Sequence, residues 1–279
     1  MKQRILLTLM LMLMLSATVM AAERNDLSSC YQQARITEFK PAPSGRMLSV
    51  VVDQTTPLTP DLQRTAWDHI KRFLQPGDQL RLYSFSAYLE GHYMQLKYAG
   101  LLDKGLDPSQ LGDVPMMNAK KLDQCLASQP KAMLQQFGKQ FVQTMGKSST
   151  DIPRSEILFS LKAVGDDIRA ADGVKENIIL LMSDMLEYSD FGSFYQAKGI
   201  RDISPAVELA KVEKANLVAD FNGARVYVHG AAFVPTDTKN GYRSGKMIQN
   251  LESFWSQYFQ RSNGQLIAFG HPELTVSVQ

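Results

Sequence analysis

The chain has 279 residues, 44% of them apolar and 21% charged, with 30 Lys and Arg against 28 Asp and Glu. That balance excludes a wholly disordered chain, a collagen-like fibre and a multi-span membrane protein. With no Lys/Arg-rich run and a net charge near zero, it also argues against electrostatic binding of nucleic acid.

The chain opens with Lys2 and Arg4, an apolar run over 5–15 broken only by Thr8, and small residues around Ala21 and Ala22. This reads as a signal peptide, 1–22, cleaved near Ala21 or Ala22. The apolar run is too short for a permanent membrane span, so the mature chain is expected in the periplasm or secreted, with no span of its own. In that compartment two cysteines, Cys30 and Cys125, favour a disulfide over two buried thiols.

An aperiodic arm, 23–45, leads into the run Arg46 to Asp53, which has no polar alternation and reads as a strand covered on both faces. Thr59 and Pro60 then start a helix with a hydroxyl cap and Pro at its first position; Leu62, Ala66, Ile70, Phe73 and Leu74 recur at helical spacing. Residues 79–85 form a second strand. The stretch 86–129 is read as an insertion with one short strand near 93–98. Helices are predicted over 130–145 and 152–170, and a strand over 177–184 ending in Asp184. A helix over 204–220, a strand over 225–232, a helix over 245–261 and a strand over 265–269 complete the chain. Alternating strands and helices predict one three-layer α/β domain, 46–279, with a doubly wound, mostly parallel sheet.

Ligands of such sheets bind beyond the carboxyl ends of the strands. Asp53 and Asp184 reach that edge, Thr55 follows the first, and Thr150 lies in the hydroxyl-bearing turn 148–152. Two carboxylates with hydroxyls on adjacent loops form a hard-oxygen site of the kind Mg²⁺ prefers. The structural alternative is that both aspartates cap helices and tie loops. Tyr188, Phe191, Phe194 and Tyr195, close behind Asp184, form a candidate partner-binding patch.

Asp53-Gln54-Thr55-Thr56-Pro57, the turn Ser149-Thr150-Asp151-Ile152 and the strand ending in Asp184 together resemble a von Willebrand factor type A domain and its metal-ion-dependent adhesion site. The resemblance implies the Rossmann-like three-layer fold and a Mg²⁺ site at Asp53, Thr55, Thr150 and Asp184. It further implies a non-enzymatic module whose protein partner completes the metal's shell. Two positions depart from the family pattern: Pro57 replaces a hydroxyl ligand, and Met185 replaces a Gly that commonly follows the last Asp. The competing expectations are a metal-dependent phosphate-ester hydrolase using Asp53 and a structural subunit of an envelope or secretion assembly. The first lacks the second Asp expected two residues on, where Thr55 stands. The phosphate-loop-like Gly146-Lys147-Ser148 lacks its earlier Gly, since Phe141 stands there, and it follows a helix rather than a strand. His229, on a strand, is expected to be structural.

Overall fold

A computed structural model describes residues 24–86, 94–152, 154–171, 173–196, 199–233 and 245–279. The signal segment and Tyr93, at the start of one expected strand, lie outside the described residues.

The main sheet contains β1 (Arg46–Asp53), β2 (Gln79–Phe85), β3 (Gln95–Leu101), β4 (Glu176–Met182), β5 (Ala224–His229) and β6 (Gly264–Gly270). They lie in the spatial order β3-β2-β1-β4-β5-β6, all parallel except the edge strand β3. The chain winds outward from β1 in one direction and then, from β4, in the other. The switch point therefore lies between β1 and β4. Successive side chains of a strand point to opposite faces. Leu48, Val50 and Val52 thus pack against α2 (Pro60–Phe73) and α3 (Met116–Met145). Met47 and Val51 pack against α4 (Ile157–Arg169), α5 (Pro205–Lys214) and α6 (Gly245–Arg261). This is a three-layer α/β fold, as the alternation of elements predicts.

The α2 helix starts as its sequence dictates: the Thr59 hydroxyl accepts from the Leu62 N–H at 3.4 Å, and Pro60 occupies the first turn. The α3 helix corrects the expected boundary at Pro130. It is 30 residues long and carries Pro130 in its interior. An internal Pro costs about 3 kcal/mol, which packing on both sides offsets here. Before Pro130, Leu122 packs with Cys30, Tyr31 and Ile36 in a separate small core; after it, Met133, Phe137 and Phe141 enter the main core. The last third of the expected insertion, 116–129, is thus the first half of this helix.

The arm is ordered around α1 (Cys30–Ala34), and Cys30 is disulfide-bonded to Cys125 as expected. Asp26 and Asn25 run along the outer edge of β3, where their side chains accept from the Ala99 and Leu101 N–H groups. An edge covered in this way cannot pair with another strand. His229 is buried; its Nδ1 accepts from the Leu274 N–H at 3.1 Å, leaving Nε2 to donate to the Leu62 carbonyl at 2.9 Å. It ties β5 to α2 and the C-terminal tail. Burial lowers its pKa, so the neutral ring is the structural form. Among the described residues no helix is long and apolar enough to cross a membrane.

Candidate functional site

The two strands flanking the switch point each deliver an aspartate to its carboxyl edge. Asp53 ends β1 and is fully buried. Its Oδ1 accepts from the Thr55 N–H at 2.9 Å and the Thr55 hydroxyl at 2.6 Å; its Oδ2 accepts from the Ser183 hydroxyl at 2.7 Å and the Thr56 hydroxyl at 3.5 Å. Asp184, two residues past β4, is 4% exposed. Its Oδ1 accepts from the Leu186 N–H at 2.9 Å and its Oδ2 from the Tyr195 hydroxyl at 2.5 Å. The Thr56 hydroxyl links the pair, because it also accepts from the Asp184 N–H at 3.4 Å.

All these donors are neutral, and among the described residues no cationic side chain pairs with either aspartate. Burial pushes the Asp53 carboxyl up to about 6. Burial, followed by repulsion from Asp53, pushes Asp184 up to about 7. Glu187 is a third buried carboxylate nearby, also raised to about 7 by burial, and it accepts from the Leu158 N–H in the first turn of α4. A carboxylate at a helix N-terminus satisfies an orphan donor and complements the helix dipole. Glu156, at the N-cap of α4, makes no such bond itself.

The turn carrying Thr150 is held beside the Asp53 turn: the Ser149 N–H donates to the Gln54 carbonyl at 2.9 Å, and the Gln54 side chain donates to the Thr144 carbonyl at 3.2 Å. Ser155 secures the other flank, donating to the Leu186 carbonyl at 3.1 Å and accepting from the Tyr188 N–H at 2.9 Å. Between these loops opens a cleft of about 340 Å³ lined by Thr55, Thr56, Thr150, Ser155 and Asp184 on its polar side, with Arg154, whose guanidinium is paired with Asp190 and Glu156, at its margin and Pro57, Ile152, Tyr188 and Phe233 among its apolar walls. Thr150 is exposed in it.

Thr55, Thr150 and Asp184 therefore converge on one cleft, with Asp53 buried beneath it. The aromatic segment divides differently from the expectation. Phe194 is fully buried, edge-on to Phe254 at 5.0 Å and against Trp255, and Phe191 packs on the same core. Phe194 presents no partner surface of the kind expected, because it fills the core beneath α6, and Phe191 is half-buried against that same core. Tyr188 is 47% exposed, and it and Tyr195 line the cleft. Ser155 and Glu187 carried no signal in the sequence, whereas Ser183 stood in view, one residue before Asp184.

Three of the seven non-glycine residues with positive φ among the described ones lie here. Among the described residues, Glu156, Met185 and Ala232 have φ of 50°, 62° and 53°, and all three adjoin the cleft. The Ala232 N–H donates to the Asp184 carbonyl at 2.8 Å, and the Met185 carbonyl accepts from the Trp255 indole at 2.9 Å. Left-handed backbone costs an ordinary side chain about 1–2 kcal/mol, and such strain persists only where surrounding contacts fix it.

No protein-family model and no curated protein matches the chain. Among solved structures, it is similar to an aerotolerance-related membrane protein from Bacteroides fragilis bearing mutations to serine, at 12% identity and a TM-score of 0.33, covering 80% of this chain and 90% of that one. The pilus adhesin SpaC from Lactobacillus rhamnosus GG, in its open conformation, is similar at 12% identity and a TM-score of 0.32, over 80% of this chain and 30% of the adhesin. The N-terminal domain of TFIIH p34 is similar at 11% identity and a TM-score of 0.27, over 75% of this chain and 96% of that one. At these scores the likenesses carry no argument about family or function. The fold rests on the order of the strands.

Proposed function

We propose that the protein is an exported protein-interaction module that binds its partner at the carboxyl-edge cleft, bridged by a divalent cation such as Mg²⁺. The observation that carries this reading is the pair Asp53 and Asp184: two buried carboxylates at the switch point, raised in pKa, with no cationic side chain among the described residues to neutralise them. Buried charge is normally paired or bound to metal. The donor set fits a hard cation. Thr55, Thr150 and Asp184 face the cleft, and Asp53 acts from below through the Thr55, Thr56 and Ser183 hydroxyls. Among the described residues no three His, Cys, Asp or Glu side chains converge, so a cation here rests on two carboxylates, hydroxyls and water, the ligand type that suits Mg²⁺. When bound, the cation supplies an open coordination position for an oxygen of the partner. The resemblance to the von Willebrand factor type A pattern points the same way.

Export is the compartment that suits the signal-like start and the Cys30–Cys125 disulfide. Binding is favoured over phosphate-ester hydrolysis by the state of Asp53, which is fully buried with both oxygens accepting hydrogen bonds, so a nucleophile there has no approach to substrate.

The test is calorimetry with Mg²⁺ and Mn²⁺ on the mature, chelator-stripped chain. Binding is expected, with a loss of about tenfold or more in Thr150→Ala, whose exposed hydroxyl leaves the fold untouched, and in Asp53→Ala. Metal-dependent turnover of a phosphate ester, abolished by Asp53→Asn, would replace this reading with the hydrolytic one.

A further inference from the structure

We propose that Tyr195 is an internal latch: its hydroxyl occupies the Asp184 carboxylate and must swing away before the cleft takes a cation. This rests on the cation-binding reading above. Three observations support it. First, the carboxylate oxygens are already used, but not equally. Asp53 is held by a backbone N–H and three short hydroxyl side chains, and Asp184 Oδ1 by a backbone N–H. Asp184 Oδ2 is held by the end of a long aromatic side chain that also lines the cleft.

Second, the latch can open without unfolding its segment. Among the described residues its main chain is held by two ladders of two residues each, Tyr188–Ser189 with Gly192–Ser193 and Tyr195–Gln196 with Gly199–Ile200, and by the Phe194 N–H to the Glu187 carbonyl and the Arg201 N–H to the Phe194 carbonyl, each at 2.8 Å. Phe194, buried in the core, anchors the backbone, while the half-buried Tyr195 packs against the rim of that core and lines the cleft, so rotation of one side chain suffices. Tyr188, half exposed, meets the Tyr195 ring edge-on at 6.3 Å and steadies it in the closed position.

Third, the closed latch and a cation exclude each other electrostatically. A phenol O–H donated to Oδ2 places its positive hydrogen where a cation or its bound water would approach that oxygen. The latch thus stands in for a cation and, with Pro57 at the position of a lost hydroxyl, makes this cleft a weak cation site until something displaces Tyr195.

The experiment compares Mn²⁺ affinity, by calorimetry and by the loss of the free-ion paramagnetic signal, in the mature disulfide-intact chain and in Tyr195→Phe, Tyr188→Ala and Asp184→Asn/Tyr195→Phe. Native near-UV circular dichroism is required of each. Removing a hydrogen bond to a charged group is expected to tighten Mn²⁺ about tenfold or more in Tyr195→Phe. A smaller gain in the same direction is expected in Tyr188→Ala, and no binding in the double variant. Equal affinity in the native chain and Tyr195→Phe overturns the latch and leaves the cation site standing. A gain that survives Asp184→Asn overturns the latch as well, since it then acts elsewhere. Failure of both the native chain and a folded Tyr195→Phe to bind overturns the latch and the cation reading together.

Discussion

Asp103 and Asp184 are buried to nearly the same degree, 5% and 4% exposed, yet their surroundings treat charge in opposite ways. Asp103 follows the antiparallel strand β3, whose last residue Leu101 pairs with Gln79 at the start of β2, so it lies at the amino edge of the sheet. Burial pushes its carboxyl up, but Nζ of Lys40 at 2.7 Å, the Cys30 N–H at 2.6 Å and the Gln129 amide at 3.0 Å outweigh that and hold it below the usual range. Asp184, at the carboxyl edge, receives only neutral donors and the repulsion of Asp53, and it stays high. The fold thus neutralises a buried carboxylate at one edge and, among the described residues, leaves two without a cationic partner at the other, which is the contrast the cation-binding proposal builds on.

The first way to break this comparison is to unfasten the amino edge. Replacing Cys30 and Cys125 by Ser opens a loop spanning 95 residues, and urea unfolding is expected to show a loss of about 4–5 kcal/mol in the chain-entropy account. A loss below about 1 kcal/mol would mean that the arm docks without its staple. Next, Lys40→Ala leaves Asp103 without its cation, for an expected loss of about 2–4 kcal/mol at pH 7. The sign follows from the lowered pKa: the Asp103 contribution is present above the ordinary carboxylate value near 4 and is lost as pH falls. The variant should therefore differ most from the native chain near neutrality and converge with it in acid.

Asp184→Asn tests the other edge. Its carboxyl sits near 7 in the folded chain, above its ordinary 3.8, so the native state holds the extra proton between about 4 and 7. Stability contributed by that group falls as pH rises through this window. In metal-free buffer the variant is expected to match the native chain at pH 4 and exceed it at pH 8 by about 1–3 kcal/mol. Equal destabilisation at both pH values would make Asp184 a structural acceptor and remove the contrast with Asp103. Smallest is Glu156→Asn: Asn tolerates the left-handed backbone and caps helices well, so relief of this strain is expected to give a gain of up to about 1 kcal/mol in thermal unfolding.

How much of this was legible beforehand depended on the range of the interactions. The strand runs ending at Asp53 and Asp184, the Thr59–Pro60 helix start, the 245–261 helix and the alternation that makes a three-layer fold all stood in the sequence. Periods of 2 and 3.6 are properties of chain neighbours, and carboxylates at strand ends reach the same edge whenever the strands are parallel. Tertiary packing alone decided that α3 continues through Pro130, because the cost of that residue is offset by partners distant in sequence, Cys30 and Tyr31 against the first half of the helix and Trp67 and Tyr98 against Phe137 in the second. Packing alone also turned Phe194 inward onto Phe254 and Tyr195 outward onto Asp184, and set Glu187 under α4. Those outcomes depend on which surfaces meet across the fold, and no local pattern records which surfaces those are.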